Sequence, residues 1–590
     1  MIVKKKQIIE LLKIHFNYEN FRPGQEKAID SVLNNQDTVA VLPTGGGKSM
    51  IYQLPALVLE GITIVVSPLI SLMKDQVDSL DNVGIPATYI NSTLSPKEIE
   101  KRLENMKSGQ YRLIYIAPER FYSQVFLKQL KTLKVSLFAI DEAHCISQWG
   151  HDFRPSYIRL KDAIDLVGRP PVLALTATAT KEVREDIIKQ LDLKDVNLIV
   201  SGFSRPNLHF ASLSVSGGQK MSKILQLFKG PELGTGIIYV GTRAKAEEIV
   251  SYLNEFNIKA VEYHAGLDAD SRSWVQEQFM KSEADVVVAT NAFGLGINKQ
   301  NIRFVIHYDI PGTIEAYYQE AGRAGRDGKD SFCLLFHSAT DRYLQEFFIQ
   351  GDNPSPDTVM SVYDLLLQMD EEKEYGQDNL LFTYSEITKN MEVSVPEMAI
   401  GTCLKILEKE NYISRPNERR ANAFLKKKVD FKEVKEQVSN RAKNQKKVLE
   451  VIEDRLSQEV DSGWQFSLDE AAVIFKMEKN SLLRAIKSLA EKNLIEFRPP
   501  FRGTEIKIIK RVEPEELMPT LEKLKEKARK AYEKLDLIEN YVYTKMCRQV
   551  YILNYFGERN SKNCGVCDNC MQGKTLKTEN NKKRQFLGNY

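Results

Sequence analysis

The strongest constraint on the fold is an alternation that occurs twice along the chain. Short apolar runs at 38–42, 62–67, 87–90, 113–117, 137–140 and 172–176 are separated by stretches of helical periodicity. From about 208 to 345 the same rhythm returns, with apolar runs at 236–239, 260–263, 286–289, 304–307 and 331–336. Runs this short and this uniformly apolar suit strands covered on both faces, and helices between them act as crossovers between parallel neighbours. The pattern predicts an α/β chain with two doubly wound parallel sheets in tandem, over residues 1–207 and 208–350. Open sheets of this kind bind ligands beyond the carboxyl ends of their strands, so residues just after each run are candidates for chemistry.

The first such segment is Leu42-Pro-Thr-Gly-Gly-Gly-Lys-Ser49. Thr44, Gly45, Gly46 and Gly47 supply backbone that can wrap phosphate oxygens. Lys48 can reach the β and γ phosphates of a nucleotide, and the Ser49 hydroxyl can bind Mg2+. The full P-loop pattern has glycine where this chain has Leu42, a departure of one residue. Asp141 and Glu142 close the run that ends at 140. Asp141 is placed to hold Mg2+ through water and Glu142 to orient or deprotonate the attacking water. An acidic pair alone is often a helix cap, but Lys48 shifts the balance to catalysis. Within a dozen residues follow Trp149, Phe153 and Arg154, groups suited to nucleobases and phosphates. In the second repeat, Arg323 and Arg326 lie three apart, on what should be one helical face reaching across an inter-domain cleft.

Composition bounds these readings. At 590 residues the chain should hold about three to five domains. A hydrophobic content of 43% with 27% charged residues is ordinary for a soluble protein, and a net charge of +3 makes any nucleic-acid-binding surface a local one. The basic start, Met1-Ile-Val-Lys-Lys-Lys6, lacks the apolar core of a signal peptide, and no apolar run approaches the ~18 residues that span a bilayer. The expectation is a cytoplasmic protein with no membrane partner. Of seven cysteines, Cys145, Cys333 and Cys403 are isolated and read as buried core. Cys547, Cys564, Cys567 and Cys570 cluster, and their spacing suits a tetrahedral zinc site. An iron–sulfur cluster is the rival. Zinc is favoured because no further cysteine or proline follows nearby and because Cys547 is expected on a helix over 541–550.

Together these segments resemble the RecQ family of superfamily 2 DNA helicases. The matching motifs, in order, are Tyr18-Glu-Asn-Phe-Arg-Pro-Gly-Gln25, the 42–49 loop, residues 67–76, 116–120, 141–155, 175–180, 289–298 and Gln319–Asp327. The resemblance covers somewhat over half the chain and implies two RecA-like domains closing on ATP and Mg2+. It implies that Tyr18 stacks on adenine while Arg22 and Gln25 read its edge. Gln148, Trp149, Phe153 and Arg154 would sense single-stranded DNA. Arg326 would be the principal arginine finger, with Arg323 and Gln319 in support. It further implies 3′-to-5′ movement, unwinding of duplex or branched DNA in repair and recombination, single-strand-binding and recombination proteins as partners, a monomer, and association with the nucleoid in a bacterium. The rivals are an RNA helicase, a translocase that does not unwind, and a catalytically silent DNA-binding scaffold. Intact Lys48, Asp141, Glu142 and Arg326 argue against the last.

Beyond 350 the chain reads as mainly helical, with two winged-helix-like segments at 351–423 and 446–512 and a charged linker at 424–445. A helical hairpin and zinc module follow at 513–572, then a disordered tail at 573–590. In the family's common layout the zinc module directly follows the helicase core; here residues 351–546 intervene. The segment Phe497-Arg-Pro-Pro-Phe-Arg-Gly-Thr504 is a candidate hairpin tip that could either wedge a duplex end or pack against its own domain.

Overall fold

The computed structural model describes residues 2–572 apart from 151, 201, 230–232, 295, 296, 298, 373–378, 394, 416–422, 430–441, 499–502, 559 and 560. The 573–590 tail and residues 499–502 of the candidate hairpin therefore lie outside the described residues. Among the described residues, those up to 346 with those from 530 to 572 form one compact unit, and those from 347 to 529 a second.

The first unit contains both expected sheets. Strands β1 (Thr38–Val41), β2 (Ile62–Val66), β3 (Ala87–Ile90), β4 (Leu113–Ile116), β5 (Val135–Ile140), β6 (Val172–Thr176) and β7 (Asn197–Val200) form a parallel sheet ordered β3-β4-β2-β5-β6-β1-β7. Every residue of β1, β2, β4 and β6 is buried, which is why these runs are uniformly apolar. The second sheet uses β8 (Leu208–Ser214), β9 (Gly236–Tyr239), β10 (Ala260–Tyr263), β11 (Val286–Ala289), β12 (Phe304–His307) and β13 (Ser331–His337). Its order is β10-β11-β9-β12-β13-β8, again parallel. β7 and β8 are additions to the expected set. Both are edge strands with one neighbour, so they carry exposed or polar positions such as Asn197, Leu198 and Ser214 and lack a fully apolar signature. The outer side of β8 is occupied by the cysteine-bearing module: Asp568 Oδ2 accepts the Ser212 N–H at 3.0 Å, and Asp568 also pairs with Arg548 at 2.8 Å.

The second unit departs from two consecutive winged helices. β14 (Leu380–Phe382) and β15 (Ile413–Ser414) both pair with β19 (Thr504–Ile508), while β16 (Ala423–Lys427) pairs with β17 (Trp464–Phe466) and β18 (Ile495–Arg498). The second winged-helix-like fold is thus inserted between two strands of the first. Two boundaries are corrected. Residues 424–427, expected in a charged linker, are a strand with Leu425 fully buried, and residues 504–508, expected in the second segment, complete the first. Each fold has its own core, one around Tyr363, Phe382 and Leu404, the other around Val448, Phe475 and Ile486. The short helices Tyr384–Asn390 and Leu468–Phe475 begin with capping boxes at Thr383/Glu386 and Ser467/Glu470.

Candidate nucleotide cleft, aromatic loop and cysteine cluster

A cavity of about 420 Å3 opens between the two α/β domains. The first domain lines it with Tyr18, Arg22, Gln25, the 44–49 loop, Asp141 and Glu142; the second contributes Gly294, Ile297, Gln319, Arg323 and Arg326. The loop leaves β1 and enters the helix Met50–Val58, whose N-terminus carries Ser49, so backbone donors and the helix dipole face the cavity. Gly45 and Gly47 have φ of +79° and +74°, and a Cβ on Gly47 would collide with the Gln25 amide. Gln25 Nε2 donates to the carbonyls of Gly46 (3.3 Å) and Gly47 (2.9 Å), and Arg22 Nη1 donates to that of Gly45. The residues assigned to adenine thus also brace the phosphate loop. Tyr18 is half exposed at the rim, free to present its ring face.

Asp141 leaves the end of β5. Burial first, then the adjacent Glu142 charge, pushes its carboxyl up to about 6 against the pull of Lys48. Glu142 sits in the left-handed region at φ +47°, an unfavourable conformation for a non-glycine residue, and begins the short turn of helix Ala143–Ile146. His144 lies 3.3 Å from Glu142 Oε2 and 2.9 Å from Thr176 Oγ1, linking the acidic pair to the end of β6.

Arg323 and Arg326 do line the cleft, but not on one helical face. The helix Ile314–Ala321 stops at Gly322, and both arginines ride on the following turn, where Gly325 takes φ +57°. Low helix propensity at Gly322 and Gly325 ends the helix before the pair. Arg323 donates to Gly294 O and Arg326 to Ile297 O at 2.7 Å. Burial, followed by the charges of Arg323 and Arg205, pushes the Arg326 guanidinium down to about 10. Sequence reasoning missed Arg205, in the link between the domains, which bonds four backbone carbonyls on both sides of the cleft.

The aromatic loop continues from Glu142 through the same short turn. Gln148 is exposed, while Trp149 and Phe153 are half-buried. Lys530 Nζ stands 3.4 Å from the Trp149 ring centroid, and Lys534 donates to Trp149 O at 2.7 Å. Arg154 is engaged inside the domain, by Asp152 Oδ2 (3.0 and 3.1 Å) and Pro68 O (3.1 Å).

The four clustered cysteines converge, with all Sγ atoms within 4.8 Å of one another. Sγ separations of 3.9 Å (Cys567 to Cys547) and 4.0 Å (Cys564 to Cys570) approach the ~3.8 Å edge of a tetrahedron with ~2.3 Å metal–sulfur bonds. They are far too long for disulfides. Amide N–H groups of Cys564 and Cys567 donate to the sulfurs of Cys547 and Cys564. The set fits Zn2+ held for structure, with no open ligand position. Cys547 is corrected in place: it stands just before the helix Arg548–Tyr555, in the break after Met518–Tyr543, where its backbone is not helical (φ −53°, ψ 125°).

Residues 22–186 match the DEAD/DEAH box helicase family, 219–328 the helicase conserved C-terminal domain, and 506–571 the RecQ zinc-binding family. The probable ATP-dependent DNA helicase RecS of Bacillus subtilis is 41% identical over 372 residues, 62% of this chain and 74% of that protein. The chain belongs to the RecQ family. The ATP-dependent DNA helicase RecQ of Bacillus subtilis is 52% identical over 342 residues, 58% of each chain. That of Pasteurella multocida is 44% identical over 337 residues, 57% of this chain and 53% of that protein. The chain thus spans little more than half the length of these two RecQ relatives. None of the three family matches covers residues 329–505.

Proposed function

We propose that this chain is an ATP-dependent DNA helicase: it hydrolyses ATP when single-stranded DNA is bound, moves 3′ to 5′, and separates duplex or branched DNA. The observation that carries the reading is the convergence of Lys48, Asp141, Glu142 and Arg326 on one inter-domain cavity. The relatives named above are ATP-dependent DNA helicases by name, which supports the reading.

In this reading the 44–47 backbone and Lys48 hold the ATP phosphates, and Tyr18, Arg22 and Gln25 hold the adenine. Ser49 and Asp141 would hold Mg2+, which would supply charge neutralisation at the phosphates. Glu142 orients the attacking water and accepts its proton. Arg326, steadied by the Ile297 carbonyl, stabilises charge on the transferring phosphoryl group, with Arg323 and Gln319 supporting it. Gln148, Trp149 and Phe153 meet the DNA strand, and Arg154 holds their loop. The zinc module braces β8. A role in DNA repair and recombination beside single-strand-binding and recombination proteins follows from the same reading, as does action as a monomer in the cytoplasm, at the nucleoid in a bacterium. No helix among the described residues is long and apolar enough to cross a membrane.

The test is ATP hydrolysis with no nucleic acid, single-stranded DNA or RNA, alongside unwinding of forked DNA. Wild type should respond to DNA and unwind the fork, while Lys48→Ala should lose both activities and keep DNA binding. A Lys48→Ala chain that still unwinds refutes the assignment; stimulation by RNA alone, or hydrolysis without unwinding, replaces it with an RNA-dependent enzyme or a translocase.

A further inference from the structure

Arg205 lies in the link between β7 and β8 and has an unusual set of partners. Nη1 donates to Thr44 O (3.2 Å) and Gly322 O (3.2 Å), and Nη2 donates to Ala324 O (2.8 Å) and Gly325 O (3.0 Å). Among the described residues no carboxylate lies within ion-pair distance of it. Thr44 is the residue before the first phosphate-loop glycine, and residues 322–325 are the turn that carries Arg323 and runs into Arg326. One planar guanidinium therefore ties the phosphate loop of the first domain to the arginine turn of the second. The two surfaces already touch here: a Cβ at Gly45 would lie 3.7 Å from Arg326 Cγ, and one at Gly322 would lie 3.4 Å from Thr44 Cβ.

We infer that Arg205 is a positioning residue for phosphoryl transfer, holding the Arg323–Arg326 turn in register with the phosphate loop without touching the nucleotide. The inference rests on the ATPase reading above and adds a residue to it. The physical ground is the fork: four carbonyls at 2.8–3.2 Å fix the guanidinium plane and, through it, the turn. Lysine keeps the charge but not the planar fork, so it cannot hold the same set. An arginine finger contributes about 10³- to 10⁵-fold to rate, and a displacement of about 1 Å costs about 100-fold.

The experiment compares wild type, Arg205→Lys and Arg205→Ala as full-length chains. The measurements are DNA-stimulated kcat, KM for ATP, and affinities for ADP and for ADP with aluminium fluoride, which mimics the transferring phosphoryl group. Both variants should lose about 100-fold in kcat and in affinity for the fluoride complex, while KM and ADP affinity stay within about threefold. Should Arg205→Ala fold poorly, Arg205→Lys carries the test alone. Retained kcat in Arg205→Lys overturns the inference, and so does a parallel loss of ADP and fluoride-complex binding, which marks a residue that only supports the fold. A wild-type chain that does not hydrolyse ATP overturns the functional reading itself, whereas a hydrolysing wild type with an unaffected Arg205→Lys overturns this inference alone.

Discussion

Replacing Lys534 by methionine should loosen the aromatic loop before it loosens anything else. Lys534 Nζ is 2.7 Å from Trp149 O and 3.0 Å from Glu315 Oε1, a carboxylate that is 2% exposed. Methionine keeps an apolar stem of similar length and removes only the charge and its donors. A hydrogen bond from a charged donor contributes about 1.5–3 kcal/mol, so at about 1.4 kcal/mol per tenfold the opening equilibrium of the loop rises about 10- to 150-fold. Glu315 is left buried without its cation, but that cost falls on the helix Ile314–Ala321. Lys530→Met keeps the stem and removes the ammonium over the Trp149 ring, a contact of about 0.5–2 kcal/mol, and predicts a change of about 2- to 30-fold. Native-state hydrogen exchange of DNA-free protein reads both, because amides of Trp149, Gly150 and Arg154 are bonded within the loop to Ser147 Oγ, Ser147 O and Cys145 O. Unchanged exchange over 147–154 in Lys534→Met would refute the reasoning. So would an equal gain in the strands of the first sheet, since that would mean general destabilisation and not release of a clasp.

Trp149→Ala should lower DNA stimulation of ATPase at least tenfold while leaving affinity for a fluorescent ATP analogue within about twofold; equal losses would make the loop merely structural. Cys567→Ser should reduce bound zinc from one per chain to nearly none and destabilise the module on β8, as read by a colorimetric zinc assay and thermal unfolding. Iron with visible charge-transfer bands in the wild-type protein would instead indicate a cluster.

The legible parts of the sequence are those whose physics is local. Strands covered on both faces show themselves as uniform apolar runs, and all eleven expected runs coincide with strands. The phosphate loop is readable despite Leu42, whose side chain is fully buried in the core of the first domain and so serves packing where the full pattern has glycine. Capping boxes at Thr383 and Ser467 likewise depend on residues three apart. Illegible parts depend on pairing across distance. β14 meets β19 over more than a hundred intervening residues, and nothing in Thr504–Ile508 says which earlier strand it will join. Arg205 was invisible for a related reason: its partners are backbone carbonyls, which have no residue identity to read. The arginine turn was misjudged because spacing of three suggests a helix until Gly322 and Gly325 are given their full weight.

The same cleft carries an electrostatic tension that explains why its two halves should act together. Lys48, Arg323 and Arg326 line it and Arg205 lies directly behind. Burial and the neighbouring charges depress the Arg326 guanidinium to about 10, so holding it charged in this position costs free energy. A triphosphate reverses the sign of that interaction at the place where the phosphate loop and the arginine turn meet. The turn's approach is then linked most strongly to the charge that develops during phosphoryl transfer, so displacing the turn costs kcat before it costs ATP affinity. The loop that begins at Glu142 leads into Trp149, and Lys534 joins Trp149 O to Glu315, near the start of the helix that leads into the arginine turn. On the function proposed above, a DNA strand that displaced Trp149 would act on both sides of the cleft at once, through Glu142 on one and through Glu315 on the other.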